Sequence, residues 1–210
     1  MKKLLALALA LVTLLALVSC NSNPPENNPG GNQTPTLSRG TIQGNVYTSE
    51  YLGLSFNKPD SWVYSTDEEI ADAMNLGAEM LLGENFKNVL EDSGTVYDMM
   101  VVDTLTSSSI NIGFENLAKT YSSNITVDQY IQALKTQFES VSSISVTFPE
   151  TAETKKLGQT EFTKLECTVT MQGVSMKQVY YLRKVDKYMS FIIVTIPSGY
   201  TVAEVEAMFQ

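Results

Sequence analysis

Residues 160–196 read TEFTKLECTVTMQGVSMKQVYYLRKVDKYMSFIIVTI, and this stretch decides the fold. It divides into three strands, Thr160 to Met171, Val174 to Arg183 and Tyr188 to Ile196, separated by the turn pairs Gln172-Gly173 and Asp186-Lys187. Strands joined by such short turns must run antiparallel. In the first strand Leu165, Cys167, Val169 and Met171 alternate with Lys164, Glu166, Thr168 and Thr170, the period of a strand with one face on a core. The third contains Met189-Ser190-Phe191-Ile192-Ile193-Val194, apolar on both faces, as a central strand covered on both sides requires.

Working back towards the N-terminus, strands and helices alternate. Thr126-Val127-Asp128-Gln129 is a capping box, and Tyr130, Ile131, Leu134, Phe138 and Val141 make the apolar stripe of the helix that follows. A strand over Ile144 to Phe148 comes next. Upstream, Thr95 to Asp103 and Ser109 to Glu115 pair through a link at Ser107-Ser108, with Ile110, Ile112 and Phe114 on one face and Asn111, Gly113 and Glu115 on the other. Ser65-Thr66-Asp67-Glu68 opens a helix predicted from about Asp67 to Leu82, with a shorter turn near Phe86 to Leu90. Asn45 to Thr48 and Gly53 to Asn57 form a first hairpin turning around Glu50 and Tyr51, closed by Pro59-Asp60-Ser61. Thr201-Val202-Ala203-Glu204 caps a closing helix. The expected class is α+β: an antiparallel sheet flanked by helices in three layers, in one domain over residues 43–210.

The first 42 residues read differently. Met1-Lys2-Lys3 is a positive start, and Leu4 to Val18 is an almost unbroken run of Leu, Ala and Val, too short for the roughly 20 apolar residues that cross a bilayer. Leu17-Val18-Ser19-Cys20 ends the run and resembles the lipobox of bacterial lipoproteins. That resemblance implies a signal peptide over residues 1–19 and lipidation of Cys20, the thiol being nucleophilic enough to carry the lipid as a thioether. Two acyl chains, at about 0.8 kcal/mol per buried methylene, make a lasting anchor. Residues 20–42, rich in Asn, Pro, Gly, Ser and Thr with no aromatic residue, are expected to be a disordered tether. The expected location is extracytoplasmic, lipid-anchored to a bacterial membrane.

The hairpin carries a second resemblance. Tyr47, followed by Tyr51-Leu52-Gly53-Leu54-Ser55-Phe56-Asn57-Lys58-Pro59-Asp60-Ser61-Trp62, is similar to the opening of PsbP-like domains. These include an extrinsic photosystem subunit in plants, a Ran-binding factor in yeast and bacterial envelope proteins. The resemblance implies an antiparallel sheet between helical layers and a non-catalytic, partner-binding role. Histidine-containing metal sites of photosynthetic members do not transfer, because this chain has no histidine.

Composition narrows the chemistry. Without histidine, Ser-His-Asp and Cys-His catalysis are excluded, and with two cysteines so is a Cys-rich zinc site. No catalytic residue, metal ligand or cofactor is assigned. The net charge of −9, with twice as many acidic as basic side chains after Gly40, disfavours nucleic acid and leaves membrane attachment to lipid. With Cys20 lipidated, Cys167 stands alone and is expected to face the core. Ser55-Phe56-Asn57-Lys58 matches Ser-x-x-Lys but lies on a strand without the motif's partners. Asp67, Glu68, Glu69 and Asp72 suit a helix's first turn. Trp62 is expected to pack against the helix that follows. Consecutive strand positions send Tyr180 and Tyr181 to opposite faces, so one of them is expected to present a ring to a partner. The function read from the chain is a lipid-anchored, non-enzymatic protein binding a protein or envelope component. The alternatives are a small-ligand-binding lipoprotein and a carboxylate-only hydrolase such as a glycosidase.

Overall fold

A computed structural model describes residues 36–83 and 85–210. The expected signal peptide, Cys20 and the part of the expected tether up to Pro35 lie outside the described residues. Eleven strands are described: β1 (Thr41–Gln43), β2 (Val46–Ser49), β3 (Leu54–Asn57), β4 (Trp62–Tyr64), β5 (Thr95–Asp103), β6 (Ser109–Asn116), β7 (Ile144–Thr147), β8 (Glu153–Leu157), β9 (Thr160–Met171), β10 (Val174–Val185) and β11 (Tyr188–Ile196). The helices are α1 (Asp67–Ala73), α2 (Asn85–Ser93), α3 (Leu117–Thr120), α4 (Val127–Glu139) and α5 (Val202–Glu206), with a 3-10 turn at Ala78–Leu81.

Strands β9, β10 and β11 form the expected meander. Gln172 and Gly173 take φ of 51° and 78°, and Asp186 takes 52°, the left-handed backbone that tight hairpin turns need. An eight-stranded antiparallel sheet runs β4-β5-β6-β11-β10-β9-β7, with β8 also paired to β9. The doubly apolar β11 sits between β6 and β10, and all nine of its residues are buried. Strands β1-β2-β3 form a second, smaller sheet. Ser55 of β3 and Gln210 exchange backbone hydrogen bonds of 2.9 Å in both directions, so the last residues extend the small sheet.

Two faces of the large sheet are covered, giving the three layers and the α+β class expected. On one face α4 lies across the strands, with Phe138 edge-on to Tyr180 at 6.2 Å and Tyr130 over Glu115. On the other, Phe114 stands edge-on to Tyr51 beside the small sheet at 5.4 Å and to Phe86 of α2 at 6.1 Å. Here α5 also docks, its Glu206 accepting the Tyr181 hydroxyl proton at 2.8 Å.

Several expectations change in detail. The predicted helix over 67–82 stops at Met74, because Asn75 turns to a φ of 56° and the chain restarts as the 3-10 turn at Ala78. Its capping box uses Thr66 and Glu69, one residue beyond the Ser65-Glu68 pair. The boxes at Thr126-Gln129 and Thr201-Glu204 form as read. The short turn near Phe86 lengthens to α2. Strands β1, β4 and β8 and the single turn α3 carry no periodic signal long enough to read.

The tether boundary also moves. Residues 36–42 were expected in the disordered spacer, yet Leu37 is buried, Arg39 makes an ion pair of 2.5 Å with Asp67, and Thr41–Gln43 pairs with β2. Leu37 supplies apolar area and Arg39 finds acidic partners, so this end of a polar segment belongs to the folded domain.

Candidate functional site

The residues named from sequence do not meet in one place. Tyr180 and Tyr181 point to opposite faces, but both faces are covered: their exposures are 2% and 1%. Tyr180 lies under Phe138 and donates to Gln178 at 2.6 Å, while Tyr181 is held by Glu206. Neither offers a ring to a partner, because a helix lies over each face of the sheet. Cys167 is buried on β9 opposite Gln178 of β10, and burial pushes its thiol up to about 12, with Glu166 adding to the effect. Trp62 is also fully buried, not against α1 but between Phe56 and Tyr200, whose hydroxyl accepts the indole N–H at 3.0 Å. Ser55 lies on β3 with its backbone tied to Gln210.

The acidic first turn of α1 divides into separate tasks. Glu69 closes the capping box on Thr66, and Asp67 reaches Arg39. Among the described residues no three His, Cys, Asp or Glu side chains gather as a metal site, and no helix is long and apolar enough to cross a membrane.

The structure builds one polar node that the sequence does not announce. At Asp98 the register of β5 against β6 shifts between Tyr97 and Met99, a bulge that re-aims one side chain. The side chain of Asp98 is fully buried. Its carboxylate accepts the Gly40 N–H at 3.0 Å on both oxygens and the Tyr47 hydroxyl at 2.6 Å. The Arg39 Nε lies 3.6 Å from one of these oxygens, while its other nitrogens donate to Asp67, the Leu81 carbonyl and the Asp98 carbonyl. Burial lifts the carboxyl to about 6, against the opposing pull of Tyr47, Gly40 and Arg39. The same burial, reinforced by the Asp98 charge, raises the Tyr47 phenol well above its usual range.

A second buried acid, Glu115, lies on the opposite side of the sheet. Tyr130 donates to one oxygen at 2.5 Å, and no lysine or arginine among the described residues pairs with it. Burial outweighs the hydroxyls of Tyr130 and Thr120, and the pKa rises. A carboxyl raised on folding weakens the fold above that raised pKa, and the penalty disappears as pH falls below the unfolded value. Glu115→Gln removes the charge and keeps an acceptor for Tyr130. The expected result is a thermal midpoint roughly 2–4 °C higher at pH 8, the size of a change of about 1 kcal/mol in a domain of this length. At pH 4 the two proteins should melt together, as calorimetry at both pH values will show.

A third cluster ties α5 down. Lys164 lies 3.1 Å from both Glu153 and Glu206, and Lys155 reaches Glu206 at 2.5 Å. The two lysines and Tyr181 hold the Glu206 carboxyl below its usual value despite burial.

No family model matches the chain, and no curated protein does. The described structure is similar to the solution structure of cyanobacterial PsbP (CyanoP) from Synechocystis sp. PCC 6803, with 11% identity, a TM-score of 0.47, and 86% of this chain and 97% of that one covered. It is similar as well to a crystal structure from Bacteroides thetaiotaomicron, with 14% identity, a TM-score of 0.42, and 80% of this chain but 48% of that one covered. At such identities these likenesses say nothing of activity.

Proposed function

We propose that this chain is a lipid-anchored, non-enzymatic extracytoplasmic protein whose domain binds a protein or envelope component at the membrane surface. The observation that carries the proposal is Leu17-Val18-Ser19-Cys20 at the end of an apolar run, followed by a polar spacer. The acidic balance of the domain supports attachment through lipid, since anionic headgroups repel it. The carboxylate-only alternative needs two acids converging on one substrate. The two carboxyls raised by burial, Asp98 and Glu115, instead contact different layers, one Tyr47 of the small sheet and the other Tyr130 of α4.

Mass spectrometry of the mature protein tests the anchor. The expected N-terminus is Cys20 carrying a thioether-linked diacylglycerol, and an unlipidated N-terminus beginning at any other residue overturns it. Crosslinking in the native envelope followed by affinity capture tests the binding role. A specific crosslinked partner absent from the Cys20→Ser strain is expected, and wild-type growth and envelope composition after deletion of the domain count against it.

A further inference from the structure

Between Thr36 and Gly40 the chain forms no helix and pairs with no strand, yet it is held down tightly. Leu37 is buried in the core, and Arg39 spans from the start of α1 to the end of the 3-10 turn and the bulge in β5. Gly40 lies so close to the Tyr47 ring that a Cβ there would sit 2.3 Å from it. The N–H of the Arg39–Gly40 amide is the group that Asp98 grips with both oxygens.

Arginine followed by glycine is a bond that proteases of trypsin-like specificity cut. Such enzymes bind several residues in extended form, so the docked segment must first lift away. Because this strap at the edge of the domain, ahead of β1, is held by one apolar side chain and one polar node, it belongs to the part of a fold that opens locally, ahead of global unfolding. Hydrolysis adds water across the amide, leaving a carboxylate on Arg39 and a free amine on Gly40. Below its pKa of about 7.7–8.0 in peptides, that amine is protonated. The departing guanidinium is thus replaced by an ammonium attached to the atom already 3.0 Å from both oxygens of Asp98.

We propose that Arg39–Gly40 is a shielded processing site for a protease of trypsin-like specificity, and that the amine created at Gly40 closes back onto Asp98. The strap controls access, and the buried acid stabilises the product as well as the intact chain. If Cys20 is the anchor, cleavage frees the domain from the membrane; that consequence alone rests on the proposed function.

Limited trypsin digestion of the full chain, read by intact mass and N-terminal sequencing, tests the site. The expected first product from the folded domain begins at Gly40. Leu37→Ser and Asp67→Asn, which loosen the strap while leaving Asp98 and the Arg39–Gly40 bond in place, should each speed its appearance at least tenfold while lowering the thermal midpoint of the intact protein by only a few degrees. The product should melt within a few degrees of the intact protein at pH 7. Its midpoint should fall between pH 7 and pH 10 by more than that of the same product acetylated at Gly40. The titratable groups around the new amine are Asp98, which holds it, Tyr47, which donates to Asp98, and Asp67, whose charge acts on Asp98. A raised amine pKa gives stability that is present below the free value and lost as pH rises through the raised one.

Equal rates for wild type and variants, a first cut elsewhere in the domain, or no difference between free and acetylated products would each overturn the proposal. Running the digestion on membranes and on the Cys20→Ser chain separates the two readings. Sedimentation before protease reports on the anchor, whereas the rate and identity of the product report on the strap.

Discussion

Trp62→Ala should lower the unfolding free energy by about 4 kcal/mol, the loss typical of a large buried aromatic. Trp62 has no exposed surface and packs against two other parts of the chain at once. Phe56 carries the contact into the small sheet, Phe209 lies 5.1 Å beyond Phe56, and Tyr200 packs edge-on at 5.5 Å while accepting the indole N–H. Alanine leaves a cavity among these rings, and collapse into it would have to drag β4 from the edge of the large sheet. Trp62 is the single tryptophan, so denaturation should be followed by circular dichroism. Trp62→Phe, which keeps most of the ring contact and loses the N–H, should cost less than half as much. Equal losses for the two variants would mean that the hydrogen bond, not the packing, carries the effect.

Gly113→Ala should cost about 3 kcal/mol, at the upper end of overpacking effects. The glycine lies in β6, between Tyr97 of β5 and Phe191 of β11. A Cβ there would stand 2.5 Å from the Phe191 ring and 2.6 Å from the Val96 carbonyl oxygen. The ring could turn, but the carbonyl belongs to a neighbouring strand, so the sheet itself must spread. Phe191→Leu in the same chain relieves only the first contact. Partial rescue by that second change, measured as a non-additive double-mutant cycle, is the expected outcome. Full rescue would assign the whole cost to the ring.

These two residues mark how far the sequence could be read. The meander, the capping boxes at Thr126 and Thr201 and the buried course of β11 were legible because each has a local chemical signature. The sequence places Gly113 with Asn111 and Glu115 on the face opposite Ile110, Ile112 and Phe114, and all three are buried. Alternation within β6 shows that its faces differ; it does not show that α4 covers the polar one. The same non-local covering hid Tyr180 and Tyr181. Asp98 escaped notice for another reason. It occupies one of a run of strand positions, and only the bulge against β6, together with the docking of a segment 58 residues earlier, makes it the centre of a node. Cys20, the most informative site residue of the sequence, lies outside the described residues.

The order of strands across the large sheet also sets an order of events in time. Turns join β9 to β10 and β10 to β11, so this part can zip up from neighbouring residues. The seam between β6 and β11 must instead bring Ser109 against Thr195, across a long intervening loop. Closing such a loop costs entropy before any pairing repays it, so this seam should form late and set the folding rate. A chain emerging from its N-terminus cannot complete its central sheet until β11 has emerged. Until then, β6 presents its unpaired backbone edge, Ser109 to Asn116, to whatever helper first meets it.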